Sequence, residues 1–181
     1  MLSAAQKQIA LRAAREAVLR RLQLIEAEPP DTTEEKLLER CGVFVSLHSG
    51  EELRGCIGVI EPTAPLIATI ATCAVSAATT DNRFPPVTLA EMPSIRFEIS
   101  VLGPPVSIQG PDEVEIGRDG VIVTLGGRTA LMLPQVAEHE GWGASDLLSA
   151  VCRKAGLPPA AWQEAATRLE KFTAEVFGEE G

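Results

Sequence analysis

Residues 53–58, Leu-Arg-Gly-Cys-Ile-Gly, limit the possible folds of this chain more than any other segment. The stretch reads as a β-strand, yet glycine flanks its cysteine on both sides. Glycine inside a strand weakens it and marks a bulge or a place where another group approaches the backbone closely. We therefore expect this strand to lie beside a closely packed element or a ligand cleft.

The segment before it predicts a partner strand. Residues 41–48 are rich in β-branched and apolar residues, and residues 49–52 read as a turn, so 41–48 and 53–60 are expected to form a β-hairpin. A turn centred on Gly50 and Glu51 places residue 45 opposite residue 56 and residue 47 opposite residue 54. One face of the hairpin then carries Cys41, Val43, Val45, Leu47, Arg54 and Cys56. His48 points to the other face.

The rest of the chain alternates between helical and strand patterns. Helices are predicted at 3–28, 63–80, 134–140, 145–155 and 158–169, strands at 94–102, 120–125, 128–133 and 171–177, and a polar linker at 32–40. The Pro29-Pro30-Asp31 sequence is expected to end the first helix, and Ser145 to cap the fourth. Short loops and hairpins favour a mostly antiparallel sheet with packed helices, an α+β fold, in one domain spanning 1–181.

Composition excludes several classes of protein. A net charge of −9 without a basic run disfavours nucleic acid as a partner. No apolar run approaches the roughly 20 residues that span a bilayer, and the N-terminus lacks the apolar centre of a signal peptide, so we expect no membrane contact and a cytoplasmic location. The four cysteines form no CxxC pair and there are two histidines, so neither a metal site nor a cofactor is expected.

The candidate catalytic groups are Cys56, Arg54 and Glu98. Cys56 is interpreted either as a nucleophile, its thiolate favoured by Arg54, or as a small core residue. Arg54 either binds an anionic ligand or pairs with Glu98 or Asp81. Glu98 is either an acid/base group or an ordinary solvent-facing residue.

Two further groups of residues are candidates for ligand binding. Gly55 and Gly58 either give a ligand room or let the 63–80 helix pack closely. Asp81 and Arg83, in the loop Asp81-Asn-Arg-Phe-Pro-Pro-Val87, either line a cleft or belong to a structural turn that ends that helix. His48 is interpreted as a solvated turn residue, since a role as base for Cys56 would need a register slip or a bulge.

These residues also carry a family resemblance. LRGCIG at 53–58 is the hallmark of the AMMECR-type domain family, protein A of the AmmeMemoRadiSam system, and the chain resembles that family over about residues 10–178. Further matching blocks are Gly42–Val45, Asp81–Val87, Glu98–Leu102, Gly120–Ile122, Leu133–Ala137, Gly141-Trp142 and Cys152–Pro158. Asn82 departs from the family, in which proline is common at this loop position.

The resemblance implies a fold and a set of partners without an established activity. It implies a barrel-like antiparallel sheet with helices, built from two similar β/α units that form a larger and a smaller lobe, with a cleft near the hexapeptide. It also implies a prokaryotic source and gene neighbours that encode Memo-like and radical-SAM proteins. Two hypotheses follow. The favoured one is a ligand- or partner-binding component that acts with those proteins, and the alternative is a cysteine-dependent enzyme of small-molecule or protein modification that uses Cys56 and Arg54.

Overall fold

A computed structural model describes residues 1–26 and 31–179 of the chain. It divides into two compact units, unit 1 (Met1–Leu102 with Glu175–Gly181) and unit 2 (Gly103–Ala174). Unit 1 contains α1 (Ala4–Leu22), α2 (Glu35–Leu38), β1 (Val43–Ser49), β2 (Glu52–Val59), α3 (Leu66–Thr79) and β3 (Ile95–Leu102). Unit 2 contains β4 (Val106–Ile108), β5 (Asp119–Leu125), β6 (Arg128–Met132), α4 (Pro134–Glu140) and α5 (Ala144–Lys154), and β7 (Arg168–Gly178) contributes residues to both units. The α+β class is confirmed.

In unit 1, helix α3 packs against an antiparallel sheet with the strand order β2-β1-β3. The alternating pattern predicted for 94–102 is confirmed, since Phe97 and Ile99 point into the core with Val45 and Leu47 of β1. Helix α3 buries mainly small and β-branched side chains, and α1 packs on it in turn. Small side chains let the helix lie close to the sheet.

Helix α1 is shorter than predicted because its C-terminus forms a Schellman motif before the prolines. Leu24 adopts a left-handed conformation with φ 57°, and the N–H of Ile25 donates to the carbonyl of Arg20. The helix therefore ends at Leu22, and the predicted end at 28–30 lies outside the described residues. At the other end, Ser3 forms a capping box with Gln6.

Two other boundaries in unit 1 also differ from the predictions. The region 32–40 is not only a linker, since it contains the short helix α2, whose Leu37 is fully buried. Helix α3 begins at Leu66, after Pro65, rather than near residue 63.

The hairpin of β1 and β2 forms as predicted, but its register differs from the predicted one. Ser46 lies opposite Cys56 and Leu47 opposite Gly55, and the pairing shifts before His48. This β-bulge leaves Arg54 without a partner on β1, since β2 has one residue more than β1 at this point.

The bulge overturns the predicted distribution of side chains over the two faces. The two expected pairs, Val45 with Cys56 and Leu47 with Arg54, are wrong. Because successive side chains alternate, Cys56 lies on the polar face with Ser46 and His48, opposite to the core face of Val45 and Leu47.

In unit 2, β5 and β6 form the predicted hairpin, and both turn residues, Gly126 and Gly127, have positive φ. Helix α5 packs on this hairpin, but its N-cap is Gly143 rather than Ser145, and the carboxylate of Asp146 accepts a hydrogen bond from the Gly143 N–H.

The predicted helix at 158–169 is wrong. That segment contains one 3₁₀ turn, Ala161–Gln163, and then the start of β7. Strand β4, which pairs with β7, was not predicted.

No helix within the described ranges is long and apolar enough to cross a membrane.

Candidate functional site

The polar face of the unit 1 sheet brings Cys56 and Glu98 into one row. Ser46 of β1 lies between them, opposite Cys56 on one side and opposite Glu98 on the other. The Ser46 hydroxyl donates a hydrogen bond to the Cys56 sulfur over 3.2 Å. Ser46 is 7% exposed and Cys56 is half-buried. Cys56 and Glu98 were both candidate groups in the sequence. The pairing of each with Ser46 shows that they lie on the same face of the sheet.

Arg54, the residue at the bulge, extends to the loop that follows α3. Its guanidinium donates to the Glu91 carboxylate (3.1 and 2.9 Å) and to the carbonyl oxygens of Pro85 (2.7 Å) and Pro86 (3.4 Å). Its carboxylate partner is therefore neither Glu98 nor Asp81, the two that the sequence suggested. Because its donors diverge in a fixed planar fork, the guanidinium hydrogen-bonds to three loop residues at once and connects them to the turn end of the hairpin.

Glu91 is held as a carboxylate by this arrangement. The N–H of Thr88 is the main group that lowers the pKa of Glu91, followed by the Thr88 hydroxyl and by Arg54. The side chain of Arg54 is 16% exposed, so its charge is largely withdrawn from solvent and already has a partner.

Asp81 and Arg83 together bind the backbone of Cys56. Asp81 accepts a hydrogen bond from the Cys56 N–H (2.9 Å), and Arg83 donates to the Cys56 carbonyl (3.2 Å). Arg83 also forms a two-pronged ion pair with Asp81 (2.9 and 2.7 Å). Strand β2 is an edge strand, whose outward N–H and C=O groups would otherwise be open to another chain. The loop therefore closes the edge of the sheet at Cys56.

The Asp81 carboxylate is strongly stabilised in its charged form. The hydrogen bond from Arg83 is the main cause that lowers its pKa to about 2, and the N–H groups of Cys56 and Arg83 add to the effect against the opposing effect of burial. The Asp81 side chain is 3% exposed, whereas that of Arg83 is 54% exposed.

The two glycines of the hexapeptide make room for protein atoms on opposite faces of β2. A Cβ at Gly55 would lie 2.2 Å from the carbonyl oxygen of Ala77 in α3. A Cβ at Gly58 would lie 2.3 Å from the ring of Phe44 on β1. Gly55 therefore lets α3 pack closely on the sheet, which is one of the two alternatives that the sequence left open.

The other three cysteines form no disulfide. Burial is the main cause that raises the pKa of the Cys73 thiol to about 11, so this thiol is protonated at neutral pH. Burial likewise raises the pKa of Cys41 and of Cys152. Within residues 1–26 and 31–179, no group of three or more His, Cys, Asp or Glu side chains is arranged to hold a metal ion.

Arg96 is a residue of the polar face that the sequence reasoning did not single out. It lies directly opposite His48 and two residues before Glu98 on β3. These three side chains line a cavity of about 240 Å³ in unit 1. The alternation of β3 places Arg96 beside Glu98 on one face, which is the signal that could have identified it.

The geometry of Arg54 predicts that it holds the 81–91 loop in place. In an Arg54→Ala variant we expect amide hydrogen exchange at Val87 and Glu91 to accelerate about tenfold or more, because hydrogen bonds to charged groups each contribute about 1.5–3 kcal/mol. Exchange followed by mass spectrometry or NMR measures this. Arg96→Ala is the matched control, since Arg96 hydrogen-bonds to Gly50 and not to this loop. Unchanged loop exchange in Arg54→Ala would show that the loop is held without it.

Comparisons with known proteins place the chain in a family. The model of the AMMECR1 family matches residues 11–177. A protein of Pyrococcus furiosus is 47% identical over 86% of this chain and 79% of its own length, and one of Methanopyrus kandleri is 44% identical over 94% and 86%. The crystal structure of an uncharacterised protein from Pyrococcus horikoshii covers 94% of this chain and 90% of that one, with a TM-score of 0.88 and 43% identity. The chain therefore belongs to the AMMECR1 family.

Proposed function

We propose that the protein is a ligand- or partner-binding component that acts with Memo-like and radical-SAM proteins, and that the polar face around Cys56, Ser46 and Glu98 is its recognition surface. The observation that carries the proposal is the state of the charged groups around Cys56. Arg54, Asp81 and Arg83 are each engaged by other protein groups, whereas the Glu98 carboxylate has no partner within the described part of the chain.

A nucleophilic role for Cys56 lacks support from its surroundings. A reactive thiolate needs a cation or a base directed at its sulfur. The hydrogen-bond partner of the Cys56 sulfur is a neutral hydroxyl, that of Ser46. Arg83 is near, but its guanidinium is paired with Asp81 and donates to the Cys56 carbonyl. Arg54 is directed to Glu91 and the proline carbonyls.

The loop favours a binding role because it is ordered before any partner arrives. Charge-assisted hydrogen bonds connect the 81–91 segment to β2, and they use two arginines, the carboxylates of Asp81 and Glu91, and the carbonyls of two prolines. A surface that is already rigid loses less conformational entropy when it binds. The same bonds block strand addition at the centre of the β2 edge, whereas the half-buried Cys56 and Glu98 remain partly accessible on the polar face.

The test is the affinity of the full chain for the purified Memo-like and radical-SAM proteins of the same organism, measured by biolayer interferometry. Glu98→Lys reverses a charge at the centre of the proposed surface and should weaken binding at least about tenfold, whereas Cys56→Ser should stay within about twofold. Glu16→Lys, on the exposed side of α1, is the matched control for the charge reversal.

The opposite ranking would support the enzymatic alternative. If Cys56→Ser abolished binding while Glu98→Lys did not, or if Cys56 were alkylated by iodoacetamide faster than free N-acetylcysteine, the binding role would be contradicted. Failure of wild-type protein to bind either partner would overturn the proposed partnership itself.

A further inference from the structure

The cavity beside the turn of the β1–β2 hairpin lies wholly within unit 1. Its volume is about 240 Å³, and the side chains that give it chemical character are His48, Arg96 and Glu98. This is below the usual range of ligand pockets, about 300–1,000 Å³, so a nucleotide or a larger cofactor does not fit within it. A small metabolite does.

Arg96 brings unused hydrogen-bond donors to this cavity. One of its terminal nitrogens donates to the carbonyl oxygen of Gly50 over 2.7 Å. Its remaining N–H groups have no partner among residues 1–26 and 31–179. A guanidinium fixed by one bond to the backbone presents its other donors in a planar fork, the geometry that a carboxylate accepts best.

Glu98 brings an unpaired negative charge to the same cavity. It is half-buried, and its carboxylate accepts no hydrogen bond and joins no ion pair in the described ranges. Arg96 is two residues away on the same face, at a separation of about 6–7 Å along the strand, yet the two do not pair. A partly desolvated carboxylate without a partner is unfavourable, so a cationic group bound there would stabilise it.

The other charged wall of the cavity is already neutralised. The Glu179 carboxylate accepts hydrogen bonds from Arg15 (2.7 and 2.5 Å) and from the N–H of Phe97 (3.0 Å). Arg96 and Glu98 thus remain as one positive and one negative group. A simple anion would be repelled by Glu98 and a simple cation by Arg96.

His48 adds an unsatisfied polar atom. Its Nε2 is buried without a hydrogen-bond partner in the described structure. Buried polar atoms are nearly always hydrogen-bonded in proteins, and an orphaned one points to a bound group or water that completes the site. His48 lies directly across from Arg96, so the two side chains border the same end of the cavity.

We propose that this cavity binds a small zwitterion with a carboxylate next to an ammonium group, the chemistry of a free α-amino acid. The carboxylate accepts hydrogen bonds from Arg96 with His48 at its side, and the ammonium group donates to Glu98. This inference deepens the proposed binding role and rests on it, because Glu98 belongs both to the recognition surface and to the cavity.

The test is an NMR titration of the ¹⁵N-labelled full chain with each standard amino acid, and with acetate and methylammonium as single-charge probes. At least one amino acid should give saturable shifts at the amides of Gly50, Arg96 and Gly178, and should bind about tenfold or more tightly than acetate or methylammonium. Arg96→Gln and Glu98→Gln should each weaken that binding about tenfold.

Two matched controls separate this site from general charge effects. Arg12→Gln and Glu16→Gln change exposed charges on α1 and should leave the titration unchanged. The inference is overturned if no amino acid gives saturable shifts, if acetate binds equally well, or if Arg96→Gln and Glu98→Gln bind like wild type. If the wild-type chain bound its protein partners but no amino acid, this inference alone would be contradicted. If it bound an amino acid but neither protein partner, the proposed function alone would be contradicted.

Discussion

A Gly55→Ala variant should be destabilised by about 3 kcal/mol, as measured by urea unfolding at neutral pH. The added Cβ would lie 2.2 Å from the carbonyl oxygen of Ala77 and 3.0 Å from its carbonyl carbon. Both are backbone atoms of α3, so no side-chain rotation can relieve the contact, and either the helix must move from the sheet or β2 must bend. Each of these movements opens the packed core between α3 and the strands.

Gly110→Ala is the control for this substitution. The Cβ of residue 110 would meet nothing within 4 Å, and its φ of 179° is an extended conformation that any residue adopts. We expect its stability to stay within about 0.5 kcal/mol of wild type. If Gly55→Ala were equally neutral, α3 would not lie against β2 as closely as the structure shows.

Most of the secondary structure followed from local patterns, and the exceptions have local causes. The alternation in 94–102 and the glycine pair at 126–127 predicted β3 and the β5–β6 hairpin because their patterns and turn residues are specific. Helix α1 ends just before Leu24, which adopts a left-handed conformation that the β-carbon disfavours in any residue except glycine. The sequence therefore predicted that the helix would end later, at the prolines.

The hairpin register could not be predicted from the turn, because a single inserted residue changes it. With Arg54 accommodated in a bulge, every residue of β2 beyond it changes face relative to a regular ladder. The glycine on each side of Cys56 did indicate irregular or closely approached backbone. Its position was not predictable, because the bulge is stabilised by contacts of Arg54 with a loop more than 30 residues away.

The candidate site was predicted as a set of residues but not as a set of contacts. Asp81 and Arg83 were placed together in a loop, but their shared partner is the Cys56 backbone, and no sequence pattern indicates a bond to a backbone group 25 residues distant. The bond between Arg54 and Glu91 was missed for the same reason. Arg96 was overlooked because a charged residue in an alternating strand usually faces solvent.

An Asp81→Asn variant should lose about 2–3 kcal/mol of stability at pH 7 and should change the response of the protein to acid. The variant keeps an acceptor for the Cys56 N–H but loses the charge that pairs with Arg83. The pKa of Asp81 is lowered from 3.8 to about 2 in the folded protein. A difference of this size between the folded and unfolded states corresponds to about 2 kcal/mol.

The sign of the pH dependence follows from the direction of that shift. Because the folded-state pKa lies below the unfolded value, the unfolded chain binds the proton more readily, and the contribution of Asp81 is complete above pH 3.8 and is lost as the pH falls toward about 2. The stability difference between wild type and Asp81→Asn, from urea unfolding at a series of pH values, should therefore be constant near neutrality and shrink between about pH 4 and 2.

Asp119, whose pKa is also about 2, is present in both proteins and cancels from this difference. Asp112→Asn, at an exposed position, is the matched control and should track wild type throughout. A difference that stays constant down to pH 2 would show that the Asp81 charge does not stabilise the loop on β2.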